Sequence, residues 1–121
     1  MEVAGHRMAE FLAARERQRR AAAERYAQVL RASVPALASR LRTPGAQRVW
    51  LFGSLVWGTP DEHADIDLAV EGLPPEVYFR AVGELLCAAS ASVDLVELER
   101  APAQFAARIR NHGVEVVEVA P

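Results

Sequence analysis

The sequence of 121 residues contains no lysine, and all fourteen of its basic residues are arginine. We attribute this usage to the coding bias of a GC-rich genome, because arginine in place of lysine is a weak sign of thermostability. Acidic residues slightly outnumber basic ones, so that the net charge is −2. No global positive field therefore draws the chain onto nucleic acid, and we expect no direct DNA binding.

Cysteine is equally scarce, since Cys87 is the single one. One cysteine excludes an internal disulfide and a zinc site built from several cysteines. Its neighbours in the sequence are apolar, so we expect Cys87 to be a small buried hydrophobe. No apolar run approaches the length of a membrane span, and the N-terminus lacks the apolar segment of a signal peptide. We therefore expect a cytoplasmic protein that makes no membrane contact.

The length suits one domain around one core. Residues 6–32 predict a long helix, because they contain neither glycine nor proline. Apolar residues at helical spacing predict its buried face, which comprises Ala22, Tyr26, Val29 and Leu30. Pro35 interrupts this pattern, and we expect a kink or a short second helix that ends at about residue 42.

Two other features of this helix concern binding partners. Met8, Phe11 and Leu12 form an apolar patch, which favours a partner surface and leaves open association with a second copy or another chain. Five arginines follow, which indicate contact with RNA or an acidic partner, or else a solvated face: Arg15, Arg17, Arg19, Arg20 and Arg25. Interleaved Glu16 and Glu24 favour the solvated, salt-bridged face.

The rest of the chain alternates strands with helices, which is typical of an α/β (α+β) layer architecture. We predict strands at residues 48–52, 65–70, 92–98 and 114–119, and helices at residues 75–90 and 102–112. In the first of these two helices Val77, Ala81, Leu85 and Leu86 are expected to face the core. The result is a sheet of about four strands flanked by helices.

The most informative pattern lies between the first two strands. Gly53 and Ser54 follow an apolar strand, and Asp65 and Asp67 stand at i and i+2 on the next one. Side chains two positions apart on a strand share a face, so these carboxylates repel each other unless a cation such as Mg²⁺ holds them. Glycine permits close backbone approach, and the Ser54 hydroxyl with free N–H groups can grip a terminal phosphate.

Asp94 is the third acid of interest, because it is flanked by valine and leucine on a predicted strand. An unpaired charge in such a position is costly, which indicates a functional role. If this strand neighbours the second one, all three carboxylates point into one cleft. Three clustered carboxylates suit nucleotidyl or phosphoryl transfer with two metal ions. Taken alone, a Gly-Ser turn, an Asp-x-Asp pair or a single Asp is more often structural, and their combination favours the functional interpretation.

The pattern resembles the DNA polymerase β superfamily of nucleotidyltransferases, and specifically its minimal nucleotidyltransferase (MNT) members. The family pattern is Gly-Ser, about ten residues, Asp-x-Asp on a strand, and a third Asp on a later strand. The resemblance implies the nucleotidyltransferase fold with a mixed sheet over residues 46–121, and a helical N-terminal extension over residues 1–45. It implies that Asp65, Asp67 and Asp94 bind metal and catalyse, and that Gly53 and Ser54 bind the nucleotide.

The resemblance also implies cofactors and a partner. Mg²⁺, as two ions, and ATP as the substrate are expected. MNT proteins are often encoded beside a HEPN-domain toxin, and act as antitoxins by transferring AMP from ATP to a toxin tyrosine. Two alternatives stay open: transfer to a small molecule, and a non-catalytic module that neutralises its partner by binding alone. The second is motivated by Leu55 and Ala64, where the chain departs from the residues usual in the family.

Overall fold

The computed structural model describes residues 2–118, and side chains from residue 4 onward. A single helix, α1, extends over Glu2–Arg42 and includes Pro35. The prediction of a separate second helix after Pro35 is therefore wrong. Proline removes one helical hydrogen bond, but Val34 and Leu37 on either side of it are buried in the core and hold the helix together.

The buried face of α1 differs from the predicted stripe by one position. Its core-facing residues are Ala23, Ala27, Leu30, Val34, Leu37, Ala38 and Leu41. Val29, which was predicted to face the core, is 61% exposed. Alanine at two successive turns lets the helix approach the sheet closely, and this favours the face with small residues over the one with Tyr26 and Val29.

Four strands form one mixed sheet, as predicted. They are β1 (Arg48–Phe52), β2 (Ile66–Glu71), β3 (Val93–Glu97) and β4 (Val114–Glu115). Their order is β3-β2-β1-β4, with β2 and β3 parallel and the other two pairs antiparallel. The last strand is shorter than predicted, and residue 119 of that prediction lies outside the described residues.

Helices cover both faces of the sheet. One face packs against α1 and against α2 (Tyr78–Ala88), which follows a 3₁₀ turn at Pro75–Val77. The other face packs against α3 (Ala103–His112), around Trp50, Phe52 and Ala69. The α/β fold class predicted from the sequence is confirmed.

Two predictions for α2 are wrong. Leu86 is 61% exposed, and Cys87 is exposed as well. The helix directs Ala81 and Leu85, one turn apart, into the core. Leu86 and Cys87 follow Leu85 at about 100° and 200° around the axis, so they cannot share its face.

The first half of α1 is separate from the core. None of residues 4–22 is buried, and Met8, Phe11 and Leu12 are each more than half exposed. Glu16 forms ion pairs with Arg19 and Arg20, in agreement with a salt-bridged face. No helix within residues 2–118 combines the length and the apolar character needed to cross a membrane.

Candidate active site

The turn after β1 brings the backbone close to an acid of β2. Gly53 has a φ of +79°, and its carbonyl accepts hydrogen bonds from the N–H groups of Val56 and Trp57, both at 3.0 Å. A Cβ atom at position 53 would lie 2.1 Å from Oδ2 of Asp67. Both the positive φ and this contact require glycine. The glycine therefore lets the Ser54 turn lie directly against the Asp67 carboxylate.

The three predicted acids lie near the start of the parallel strands β2 and β3. Asp67 of β2 is the register partner of Asp94 on β3, and of Phe52 on β1. Asp65 lies one residue before β2, two positions from Asp67. By strand alternation, Asp67 and Asp94 point to the face that α3 covers farther along the sheet, and Asp65 lies close enough for its charge to raise the pKa of Asp67. The structure thus brings together the acids that the sequence singled out.

The pKa of Asp67 is raised by its neighbours. Burial, the charges of Asp94 and Asp65, and a hydrogen bond to Asp94 together raise the pKa of Asp67 from its ordinary 3.8 to about 6, and burial is the largest of these causes. Among the ion pairs of the described residues, none involves Asp65, Asp67 or Asp94. The site therefore carries negative charge that no ion pair with a cation of the described residues balances.

This donor set fits Mg²⁺ in its chemistry. Carboxylate oxygens are the protein ligands that this ion prefers, and a divalent cation would relieve the repulsion that raises the pKa of Asp67. Within residues 2–118, no three His, Cys, Asp or Glu side chains are already gathered into a preformed metal cluster. Metal binding would thus require the carboxylates to come closer together than they lie in this structure.

Helix α1 holds the turn from the other side. Nε of Arg31 donates a hydrogen bond to the carbonyl of Leu55 at 3.0 Å, and its Nη1 contacts Glu24 at 2.9 Å. Leu55 belongs to the 3₁₀ turn Gly53–Leu55. Sequence reasoning missed this role of Arg31, because the only local signal was the spacing of two helical turns between Glu24 and Arg31.

An aromatic group borders the acids on the β1 side. The ring centroid of Phe52 lies 5.8 Å from that of Trp57 and 5.6 Å from that of Phe105. The guanidinium carbon of Arg108 lies 4.2 Å from the centroid of Trp57. Trp57 thus covers the turn. Arg108 was not identified from the sequence.

A cleft opens at the other side of the acids. It has a volume of about 660 Å³, and its lining includes Tyr26, His63, Asp65, Leu86 and Ser92. It lies between α1, the loop before β2 and the segment after α2. We refer to it below as the Asp65 cleft. One of the predicted acids therefore borders a space large enough for a side chain or small ligand.

Comparison with known proteins identifies the fold and the family. Residues 40–120 match the family model described as polymerase beta, nucleotidyltransferase. A comparison with curated proteins found no match. Among solved structures, a toxin–antitoxin complex with AMP-PNP is 28% identical, with a TM-score of 0.57, over 69% of this chain and 71% of that chain.

Two other solved structures are similar. A toxin–antitoxin MntA-HpeT variant, with two aspartates two positions apart replaced by glutamate, is 25% identical, with a TM-score of 0.58, over 69% of this chain and 72% of that chain. A complex of tri-AMPylated HEPN toxin with MNT antitoxin from Shewanella oneidensis is 23% identical, with a TM-score of 0.51, over 77% and 73% of the two chains. The latter bears on the fold alone. Since the family model matches most of the chain, this protein belongs to the polymerase beta nucleotidyltransferase family.

Proposed function

We propose that this protein transfers AMP from ATP to a tyrosine of a HEPN-domain toxin in a Mg²⁺-dependent reaction, and thereby acts as its antitoxin. The observation that carries the proposal is the pairing of Asp67 with Asp94 on one sheet face beside the Gly53 turn, with Asp65 close enough for its charge to raise the pKa of Asp67. The similar toxin–antitoxin complex with AMP-PNP, an ATP analogue, supports both the nucleotide and the kind of partner.

In this proposal each site residue has a distinct role. Asp65 and Asp67 would hold the metal that accompanies the nucleotide, and Asp94 would hold the second metal. Gly53 and Ser54 offer backbone N–H groups and a hydroxyl to the terminal phosphate. When bound, the ions neutralise charge on the phosphates and on the attacking oxygen. The protein itself contributes mainly positioning and a site where developing charge is balanced.

The transfer step is a displacement at the α-phosphorus of ATP. The acceptor hydroxyl oxygen forms a bond to this phosphorus, and the bond from phosphorus to the oxygen that bridges to the β-phosphate breaks. Pyrophosphate leaves with that oxygen. The hydroxyl proton passes to the Asp94 carboxylate, which is exposed and therefore reachable by an incoming side chain.

We propose the Asp65 cleft as the entry for the acceptor. It borders Asp65 directly, and it is continuous with the exposed Leu86 on α2. A phenol ring that enters from this side would pack against Tyr26 and Leu86, with its hydroxyl toward the acids. A partner protein can supply this ring, because the outer face of α2 is open to solvent. Phe79 on that face is 85% exposed among the described residues.

The test uses the purified protein with the HEPN-domain protein encoded beside it. Both are incubated with Mg²⁺ and ATP labelled at the α-phosphate, and the label on the toxin is measured and mapped by mass spectrometry. We expect transfer to a toxin tyrosine, abolished by chelation and by Asp65→Asn with Asp67→Asn. Glu115→Gln is the matched control, because Glu115 is an exposed acid on the opposite edge strand, and it should transfer normally.

The remaining outcomes separate the alternatives. No label on a folded, correctly paired toxin would refute the proposal. Toxin neutralisation that survives Asp65→Asn with Asp67→Asn, without any label, would instead identify a non-catalytic binding module. Pyrophosphate release with a small-molecule acceptor, and none with the toxin, would favour the small-molecule alternative.

A further inference from the structure

The Arg108 side chain has an arrangement that the fold does not explain. It lies on α3 with its guanidinium 4.2 Å from the Trp57 ring centroid. Among the described residues it takes part in no ion pair or hydrogen bond, whereas Arg110 on the same helix pairs with Glu71 at 3.7 Å. An arginine held over an aromatic ring still has N–H groups available, and these can bind an anion bidentately.

The position of Arg108 relates it to the acids. Trp57 donates a backbone hydrogen bond to Gly53, and its ring packs on Phe52. Phe52 is the register partner of Asp67 and points to the same face. Arg108 therefore lies one aromatic ring away from the border of the acidic site. The Asp65 cleft lies on the other side of the acids and is not lined by Arg108.

We infer that Arg108 is a further substrate-binding residue, which holds the phosphates of the nucleotide opposite the acids, with Trp57 as its platform. This inference rests on the proposed function. Three acids and a polyphosphate carry charge of one sign, so a cation supplied by the protein is needed beside the metal ions. Contact with Trp57 holds the guanidinium in position before the substrate arrives, which reduces the ordering cost of binding.

In this arrangement the site has a phosphate side and an acceptor side. The phosphates lie at the Gly53 turn between the acids and Arg108, and the acceptor enters from the Asp65 cleft. The attacking oxygen and the leaving pyrophosphate then occupy opposite sides of the α-phosphorus, as a displacement in line requires. Arg108 stays with pyrophosphate as negative charge accumulates on it, so its effect should extend from ground-state binding to turnover.

The experiment measures binding rather than activity. Affinities for Mg²⁺–ATP, for inorganic tripolyphosphate with Mg²⁺, and for adenosine are determined by titration calorimetry on wild type, Arg108→Ala, Arg108→Lys and Arg110→Ala. We expect Arg108→Ala to weaken ATP and tripolyphosphate by about 10–100-fold, the usual effect of losing a charge-assisted hydrogen bond. Adenosine binding should not change. Arg108→Lys should be intermediate, because lysine keeps the charge but not the flat fork.

Arg110→Ala is the matched control, as an exposed arginine of the same helix whose partner is Glu71, and it should bind all three ligands like wild type. Equal binding of tripolyphosphate by wild type and Arg108→Ala would overturn the inference. So would an equal loss for adenosine and ATP, which would mean that Arg108 only supports Trp57. If Arg108→Ala does not fold, a wild-type affinity in Arg108→Lys overturns the inference as well.

The outcomes also separate this inference from the proposed function. Arg108-dependent binding of tripolyphosphate without any AMP transfer to a toxin would refute the proposed function and uphold the phosphate site. AMP transfer that is indifferent to Arg108→Ala would do the reverse. Wild type that binds neither ATP nor tripolyphosphate would refute both.

Discussion

Replacement of Asp67 by asparagine should stabilise the protein when no metal is present. Asp67 is half-buried against Asp94 and Asp65, and its pKa rises from 3.8 to about 6 on folding. Between these two pH values the folded state binds more protons than the unfolded state, so stability falls as pH rises through this window and stays lower above it. Asparagine keeps the shape and removes the charge.

The magnitude follows from the same pKa values. A difference of about two in pKa corresponds to about 3 kcal/mol, which solvent screening at this partly exposed position reduces to about 1–2 kcal/mol. For a domain of this size that is a rise in melting temperature of about 4–8 °C at pH 7.5. At about pH 3.5 most of the wild-type carboxyl is protonated in both states, so the two proteins should melt at nearly the same temperature.

The assay is thermal unfolding followed by circular dichroism in the presence of a chelator. It is run at about pH 3.5, 5, 6 and 7.5, because a change of one pH unit alters the protonated-to-ionised ratio about tenfold. Mg²⁺ in excess should raise the melting temperature of wild type at pH 7.5 and leave Asp67→Asn nearly unchanged. The reasoning is refuted if Asp67→Asn melts at or below the wild-type temperature at pH 7.5, or if the gap between the two proteins does not depend on pH.

Two further predictions concern the turn that contacts this acid. Gly53→Ala should destabilise the protein by at least about 1–2 kcal/mol, the cost of a left-handed conformation for alanine, and should displace Asp67. Gly83→Ala is the control, because a Cβ atom at this position of helix α2 meets nothing within 4 Å. It should stabilise the protein by about 0.5–1 kcal/mol. Equal effects of the two in urea denaturation would contradict the role of Gly53. Arg31→Ala frees the Leu55 carbonyl and should raise the KM for ATP by more than the fall in melting temperature accounts for, with partial rescue in Arg31→Lys. An unchanged KM would show that the turn holds its conformation without this hydrogen bond.

Much of the site could be predicted because its signals are local. The period of two in Asp65–Val70 and the glycine at the end of β1 each depend on a few neighbouring residues. The third acid, between two apolar residues, was expected to join the other two acids only if its strand neighboured the second one, and the pairing of β3 with β2 meets that condition. Successive side chains of a strand point to opposite faces, so the face that each acid occupies could be deduced once the strands were identified.

The missed contacts join residues that are distant in the sequence. Arg31 reaches Leu55 across 24 positions, and Arg108 reaches Trp57 from another helix. No periodicity records such pairs. The face of α1 was misplaced for a different reason: alanine occurs on several of its faces, and only packing against the sheet selects Ala23 and Ala27 for burial. The family match begins at residue 40, although buried residues of α1 begin at Ala23.

Helix α1 has an uneven distribution of local stability along its length. At 1.5 Å per residue it extends for about 60 Å, yet its first half makes only surface ion pairs, each worth about 0.3–0.5 kcal/mol. A helical segment without tertiary contacts is marginal in water. Amide hydrogens before residue 20 should therefore exchange with deuterium within seconds, while those after residue 27 exchange only on global unfolding. A bound partner that slowed exchange at Met8, Phe11 and Leu12 would reveal itself by this change alone.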